Sequence, residues 1–494
     1  MAKTIDNKQL QSLEPVVLWE QFRNLTLIPR PSHHEAAALD YVAEVGARLG
    51  HEVVRDGGNV IIRAKATPGL EGLTPVILQG HADMVPQRDP GVNHDFTTDP
   101  ISTRIEGGSV VACGTTLGAD NGIGVAAALA VLADPGVEHG PLEILVTREE
   151  ETNMGGASAL SSGVLQGLML FNLDTETWGE VCIGCASGID VTATFHPNRI
   201  KTADTDIAVE VSIDGLRGGH SGMDINLGRA NANKLMARFL KYAAANYESM
   251  LADIDGGNMR NAIPRSAKAV LTIDAEDMDD FMEAVDEFED MFRSEFASTE
   301  PQLSFSAKRV ELPATVIDEM TADDLINALQ GAPNGPIKMN ADLPELVETS
   351  TNMAIVKSEG ETITVKFLVR SSMESEREDV TSSLDSIFRL AGADVETSGD
   401  YPGWKPDVRS KALAVVKDSY ARLYGSEPKV TAVHAGLECG IMGQTYPNWD
   451  MVSFGPTICH PHSPAESVDI ESVGHFWRLL CDVLKNVPPM GQTR

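Results

Sequence analysis

The chain has 494 residues, more than one ordinary hydrophobic core accommodates, so two or three domains are expected. Apolar residues make up 42% and charged residues 22% of the chain, which is typical of a globular protein. Its 39 basic and 72 acidic residues give a formal net charge of −33, which disfavours nucleic acid and anionic membrane surfaces as partners.

Two further compositional features concern the compartment. The longest apolar stretches, such as residues 125–133, are too short to cross a bilayer, and the first residues contain no apolar signal core. We therefore expect a cytoplasmic protein. The six cysteines do not indicate a disulfide framework, and the pair Cys182 and Cys185 lacks the second pair that a structural zinc site requires, so we interpret both as buried thiols.

The first part of the chain predicts alternating strands and helices. Ser32 and Glu35 read as a capping box that opens a helix over residues 36–49. Short apolar runs predict strands at 60–62, 76–78, 142–146 and 168–173. An alanine-rich stretch predicts a further helix at 122–132. This order predicts an α/β fold with a mostly parallel sheet and helices on both faces.

The pattern changes near residue 188. Strands exposed on one face are predicted at 207–213, 269–273 and 362–368, with amphipathic helices at 230–245, 278–292 and 380–390. Residues 188–400 are therefore predicted to form an inserted α+β lid domain in two halves that divide near residue 300. The parallel-sheet pattern returns with 413–423, 430–433 and 451–454, and the last helix covers 470–484. The domain that carries the candidate metal site is then discontinuous, 1–187 and 401–494.

Acidic and imidazole side chains follow several of the predicted strands. His81 comes three residues after Leu78, Asp174 directly follows residue 173, and Glu150 and Glu151 follow the strand 142–146. In a parallel sheet, ligands bind at the carboxyl ends of the strands. We therefore expect these side chains to form one site at that edge.

Carboxylate oxygens and histidine nitrogens are the ligands that hold catalytic zinc. Asp120 lies in the turn 118–124, whose glycines we expect to let the backbone approach a ligand or metal. One carboxylate can bridge two metals about 3.5–4 Å apart. In this hypothesis Asp120 is the bridge, His81 with Asp174 completes one metal, and Glu151 with His462 completes the other.

Two acidic residues, Asp83 and Glu150, are not ligands in this hypothesis. Asp83 would accept the second ring N–H of His81 and orient that ring. Glu150 would act as the general base, taking a proton from water and passing it to the leaving amine. His460 lies on the same loop as His462, and the residues alone allow either histidine to be the ligand.

Four motifs together resemble a known family. They are His81-Ala82-Asp83, Gly118-Ala119-Asp120-Asn121-Gly122, the pair Glu150-Glu151, and His462-Ser463-Pro464 with Glu466. The chain is similar, over nearly its whole length, to the co-catalytic zinc exopeptidases of the aminoacylase/carboxypeptidase/dipeptidase group. Within that group, the segment 434–440 and the double-length lid resemble the bacterial aminoacyl-histidine dipeptidases.

The resemblance implies two divalent metal ions, zinc first and cobalt or manganese as alternatives. It implies metal ligation by His81, Asp120, Asp174, Glu151 and His462, orientation of His81 by Asp83, and Glu150 as the base. Three consecutive glutamates make this assignment depend on register. Counting back from Met154 selects Glu150 and Glu151, whereas a slip of one residue selects Glu149 and Glu150.

The same resemblance implies roles for lid residues. His220 is expected to stabilise the oxyanion of the tetrahedral intermediate, and Asn261, Arg370 and Gly436 are expected to bind substrate. Without the resemblance, Arg370 at a strand end reads as a surface ion pair.

The implied activity is hydrolysis of unblocked dipeptides, Xaa-His included. The alternatives are an N-acyl amino acid amidohydrolase or a carboxypeptidase with the same metals, and a non-catalytic metal-binding scaffold. Whether the chain forms a homodimer stays open.

Overall fold

The structure is a computed structural model that describes residues 5–491. Residues 1–4, which belong to the stretch where we expect no signal core, and residues 492–494 lie outside it. The α-helices of the described part are α1 (Val16–Thr26), α2 (Ala36–Arg48), α3 (Ala119–Ala133), α4 (Glu150–Asn153), α5 (Gly155–Ser158), α6 (Ala232–Tyr247), α7 (Met278–Glu295), α8 (Glu319–Gly331), α9 (Glu374–Leu390), α10 (Lys411–Tyr424), α11 (Glu438–Thr445) and α12 (Ile470–Lys485).

The strands of the same residues, in chain order, are β1 (Glu52–Asp56), β2 (Asn59–Ala64), β3 (Val76–His81), β4 (Thr103–Glu106), β5 (Ser109–Ala112), β6 (Leu142–Thr147), β7 (Met169–Asn172), β8 (Glu180–Cys185), β9 (Ser187–Phe195), β10 (Arg199–Lys201), β11 (Asp206–Asp214), β12 (Gly219–His220), β13 (Met250–Gly256), β14 (Ala262–Ile263), β15 (Ala267–Asp274), β16 (Ser304–Val310), β17 (Thr315–Ile317), β18 (Gly335–Met339), β19 (Val347–Glu359), β20 (Thr362–Ser371), β21 (Asp394–Tyr401), β22 (Lys429–Val433), β23 (Asp450–Ser453), β24 (Ile458–Cys459) and β25 (Ser467–Asp469).

The described chain divides into two compact units. The first contains residues up to 184 together with 406–432 and 437–491, and the second contains 185–405 and 433–436. We propose that they correspond to the discontinuous domain and the inserted domain, whose boundaries we placed at 187/188 and 400/401.

The first unit is built on an eight-stranded sheet of order β1-β2-β6-β3-β7-β23-β8-β22. Its central strands β6, β3, β7 and β23 pair in parallel, whereas the pairs β1–β2, β2–β6 and β8–β23 are antiparallel. The prediction of an α/β fold is confirmed, and its parallel character is concentrated in the centre. β3 and β6 are buried along their whole length, as expected for strands in the middle of such a sheet.

The predicted capping box is wrong, although helix α2 begins at the predicted residue. Glu35 occupies the N-cap position and makes no side-chain capping hydrogen bond. The Ser32 hydroxyl instead donates to Asp83 Oδ2 at 2.7 Å. The serine therefore belongs to the candidate metal centre, and the pattern of residue types alone could not distinguish these two roles.

A smaller sheet in the first unit has the order β24-β25-β5-β4. Strands β24 and β25 pair antiparallel and enclose residues 460–466, the loop that carries His462. β25 also pairs with β5, which fixes the base of this loop.

The second unit contains a nine-stranded sheet in which β16, β11, β15, β13, β19, β20, β9 and β21 follow one another and β18 pairs with β19. All of its pairings are antiparallel in the part of the chain that the structure describes. Strands from both predicted halves join in this one sheet. A buried aromatic group around Phe239, Phe281, Phe288 and Phe305 contributes to its core.

No helix within residues 5–491 is both long and apolar enough to cross a membrane. Cys182 and Cys185 are buried, as predicted.

Candidate metal centre

The centre begins at the end of β3, where His81 is almost fully buried. Its Nε2 lies 3.2 Å from Asp120 Oδ1 and 3.5 Å from Asp174 Oδ1. Its other ring nitrogen, Nδ1, lies 3.3 Å from Asp83 Oδ1. One nitrogen of the imidazole therefore lies near two carboxylates, and the other nitrogen lies near a third.

Asp83 is fully buried and holds the segment that carries the glutamates. Its Oδ1 accepts the N–H of Glu150 at 3.0 Å, and its Oδ2 accepts the N–H of Glu151 at 3.2 Å. Burial alone would raise the pKa of Asp83, but the hydrogen bond and positive charge of His81 outweigh it and bring the pKa to about 2. Asp83 is thus an anion whose oxygens are already used by its neighbours.

Asp120 stands between two imidazoles. Its Oδ1 faces His81, and its Oδ2 lies 3.1 Å from His462 Nε2. The same His462 nitrogen lies 2.9 Å from Glu151 Oε2. The two oxygens of this carboxylate therefore lie beside two separate groups of ligands, which is the geometry that a bridge between two metals requires.

Three sets of ligand atoms result, each with its members within 4.8 Å of one another. Two of them share Asp120: one contains His81, Asp120 and Asp174, and the other contains Asp120, Glu151 and His462. The third contains His81, Glu150 and Glu151. Glu151 Oε1 and Asp174 Oδ1 are buried and have no hydrogen-bond partner among the described residues. Because a buried carboxylate oxygen without a partner is costly, these orphaned atoms and the mixed oxygen and nitrogen donors fit a pair of divalent cations.

Glu150 and Glu149 differ in their surroundings. Burial, together with the negative charges of Asp174, Glu438 and Glu151, raises the pKa of Glu150 well above its ordinary value, although His81 opposes the shift. Glu149 instead lies against Arg148 and 3.4 Å from His33 Nδ1. This arrangement favours Glu150 and Glu151 over the register shifted by one residue.

His460 is exposed and belongs to none of the ligand groups found in residues 5–491.

Sequence reasoning missed two carboxylates of the centre. Glu438, at the start of α11, accepts hydrogen bonds from Gln79 Nε2 at 2.7 Å and Thr147 Oγ1 at 2.9 Å. Burial and nearby negative charges raise the pKa of Glu176 to about 8. Glu438 belongs to the segment 434–440 that carries part of the family resemblance, but only the fold shows that its side chain contacts residues of β3 and β6.

The second unit contains the other predicted residues. His220 lies in β12, and its Nδ1 accepts the N–H groups of Gly222 at 3.1 Å and Met223 at 3.0 Å. Burial, with the positive charge of Arg370, lowers the pKa of His220. A neutral ring whose Nδ1 is an acceptor carries its proton on Nε2, so His220 is arranged as a hydrogen-bond donor at that atom.

Arg370 is buried on β20 rather than paired at the surface. Its Nη1 donates to the Tyr401 hydroxyl at 2.6 Å, and its Nε has no partner among the described residues. His434 is also buried, with Nε2 2.7 Å from Ser350 Oγ. Burial, followed by the charge of Arg370, brings the pKa of His434 to about 3. A buried guanidinium with an unused N–H is suited to an anion such as a carboxylate.

Asn261 and Gly436 occupy loops of this unit. The Asn261 carbonyl accepts the N–H of Ser221 at 2.8 Å, which joins the Asn261 loop to the His220 loop. Gly436 ends the segment 433–436, whose Ala435 carbonyl accepts the N–H of Ala186 at 3.1 Å.

Comparisons with known proteins identify the family of this chain. Residues 77–486 match the profile of peptidase family M20/M25/M40. The chain is 44% identical over 482 residues to the cytosol non-specific dipeptidase of Escherichia coli (strain K12), an alignment that covers 97% of this chain and 99% of that protein.

Two solved structures extend the comparison. The aminoacylhistidine dipeptidase from Vibrio alginolyticus superposes with a TM-score of 0.93 at 43% identity, covering 97% of this chain and 98% of that one. The aminopeptidase PepT from Bacillus cereus ATCC 10987 shares the fold, with a TM-score of 0.56 at 17% identity, covering 96% of this chain and 99% of that one. The chain belongs to peptidase family M20/M25/M40. Its full-length relatives at more than 40% identity are named as dipeptidases.

Proposed function

We propose that this chain is a two-metal dipeptidase that hydrolyses unblocked dipeptides, Xaa-His included, with zinc as the metal and cobalt or manganese as alternatives. The observation that carries the proposal is Asp120, whose two oxygens face the imidazoles of His81 and His462. The printed names of the two relatives above 40% identity support the substrate class.

The ligands in this proposal are His81, Asp120 and Asp174 for one ion, and Asp120, Glu151 and His462 for the other. Two divalent ions held there would make water acidic enough to attack and would polarise the scissile carbonyl.

Glu150 is the proposed general base. It takes the proton of the attacking water and delivers it to the leaving amine. The position of Glu150 suits this role, because a carboxylate oxygen lies within 4.8 Å of ligand atoms of His81 and Glu151, one ligand of each proposed ion.

Asp83 and His220 have supporting roles in the reaction. Asp83 Oδ1 lies 3.3 Å from His81 Nδ1 and would orient the ring so that Nε2 points at the carboxylates. His220, neutral and protonated on Nε2, donates a hydrogen bond to the oxyanion of the tetrahedral intermediate.

Arg370, Asn261 and Gly436 are the proposed substrate-binding residues. The unused Nε–H of the buried Arg370 would donate to the substrate carboxylate, with Asn261 and a backbone group at Gly436 beside it. An enzyme that recognises both free ends of its substrate accepts one length, so a tripeptide should be a poor substrate.

The proposed compartment is the cytoplasm, following the name of the Escherichia coli relative. A homodimer stays a proposal without a structural argument.

A substrate panel tests the function. We expect efficient hydrolysis of unblocked dipeptides, Xaa-His among them, with poor cleavage of the matched tripeptides and of N-acetylated amino acids. Efficient cleavage of N-acetylated amino acids with little action on dipeptides would favour the amidohydrolase alternative. Release of C-terminal residues from long peptides would favour the carboxypeptidase, and metal binding without hydrolysis would favour the scaffold.

A further inference from the structure

Glu466 holds the turn that carries Asp120. Its Oε2 accepts the backbone N–H groups of Leu117 at 2.7 Å and Gly118 at 2.9 Å, and its Oε1 accepts those of Ala119 at 2.8 Å and Asp120 at 3.2 Å. The side chain is only 2% exposed. Its two oxygens accept hydrogen bonds from four successive backbone amides, so Glu466 binds the backbone of the turn and is not a further metal ligand.

Arg30 binds the same turn at the carbonyl group of Gly118. The guanidinium donates to the Gly118 carbonyl, and its Nη1 also donates to the carbonyls of Ala82 at 2.8 Å and Asp83 at 3.2 Å. Arg30 is 2% exposed. Its planar fork can bind carbonyls of two chain segments at once, which the single ammonium of a lysine does less well.

Together these contacts connect three segments that carry proposed ligands. Arg30 joins the segment after His81 to the turn of Asp120. Glu466 joins that turn to the loop of His462, because it lies four residues after this histidine on the loop between β24 and β25. The three segments are far apart in the chain, so their relative position depends on such contacts.

We propose that Arg30 and Glu466 are positioning residues that set the spacing of His81, Asp120 and His462 before any metal binds. The inference rests on the proposed two-metal site. Neither residue belongs to the ligand groups found in residues 5–491. Their effect is on metal affinity, because a preorganised set of ligands loses less entropy when it binds.

The test uses Glu466→Gln and Arg30→Lys. Glutamine keeps the size of the side chain but places an NH₂ group against two of the four amides, and lysine keeps the charge but loses the fork. The matched controls are Glu471→Gln and Arg55→Lys, since Glu471 is 83% exposed and Arg55 pairs with Asp40 at the surface.

Metal-free protein is titrated with Zn²⁺ against a chromophoric chelator to obtain two dissociation constants. Loss of residues that orient metal ligands typically costs about 10–100-fold in affinity, and we expect losses in that range for both variants but not for the controls. At saturating Zn²⁺, kcat and KM should both return to within about two-fold of the wild-type values, because the two residues act through metal affinity.

Variant dissociation constants equal to those of the wild type would overturn the inference, even if the melting temperature of the metal-free variants fell. If Glu466→Gln does not fold, Arg30→Lys decides alone under the same criterion. Wild-type protein that binds fewer than two Zn²⁺ would overturn both this inference and the proposed function, whereas two Zn²⁺ in wild type with unchanged variants would overturn the inference alone.

Discussion

Neighbouring glutamates have different surroundings in this site, and the role proposed for each follows from those surroundings. Glu149 pairs with Arg148, Glu150 lies among buried negative charges, and Glu151 contacts His462. Their chemical identity is the same, so sequence alone left two registers open. The fold favours one of them because Asp83 binds the N–H groups of Glu150 and Glu151.

Glu150→Ala should retain both metals and lose about 10²–10⁴-fold in kcat, the usual contribution of a general base. Glu151→Ala should instead weaken metal binding, because it removes a ligand. Glu149→Ala is the matched control and should change either quantity little. Steady-state kinetics with elemental analysis of the three variants checks this. A shifted register would instead lower kcat in Glu149→Ala and weaken metal binding in Glu150→Ala.

His434 predicts a pH dependence of stability. Its pKa is about 3 in the folded chain against an ordinary value of 6.5, because burial and the positive charge of Arg370 disfavour the protonated ring. The unfolded state therefore binds the proton more readily below pH 6.5, so stability falls as the pH drops from 6.5 towards 3. At pH 5 this linkage is about 2 kcal/mol.

Urea unfolding at pH 7.5 and pH 5 checks this linkage. His434→Gln should lose less stability on acidification than the wild type, by about 2 kcal/mol in the difference. His196→Gln, which alters an exposed histidine of the same unit, should behave as the wild type does. An equal loss in wild type and His434→Gln would mean that His434 does not titrate as described.

At the scale of elements, periodicity predicted the position of α2, α3, β3, β6 and β15 correctly. It could not predict that strands from both halves of the insertion share one sheet, because pairing between distant strands leaves no local pattern. The glycines of the turn 118–124 illustrate the same limit. We expected them to admit a ligand, but a Cβ at Gly118 or Gly122 would meet Arg30 Nη2 at 2.5 or 2.6 Å.

Gly122→Ala should therefore destabilise the protein by about 1–3 kcal/mol, the usual cost of overpacking a tight interior. The added methyl group would also lie 3.1 Å from Phe22 Cε2. Gly331→Ala is the control, because its Cβ would meet nothing within 4 Å. Denaturant unfolding of both variants is the measurement, and equal stability of the two would exclude the crowding around Arg30.

At the scale of the whole molecule, the α/β class and the two-unit character follow from composition and the order of elements. The candidate metal residues were also predicted from the sequence, since strand-end placement and ligand chemistry are both visible there. Arg30 and Glu438 were not assigned a role, because a buried charged residue is indistinguishable from a surface one until the chain is folded. The family comparison then supplies the substrate class, which geometry alone does not specify.

The central claim is that Asp120 joins two metal sites, and metal stoichiometry tests it most directly. Elemental analysis of the protein, loaded with zinc and freed of excess metal, should return two ions per chain. Asp120→Ala should return close to none, because it removes the carboxylate that the two proposed metal sites share. A wild-type value of no more than one, or an Asp120→Ala variant that keeps one tightly bound ion, would contradict the account.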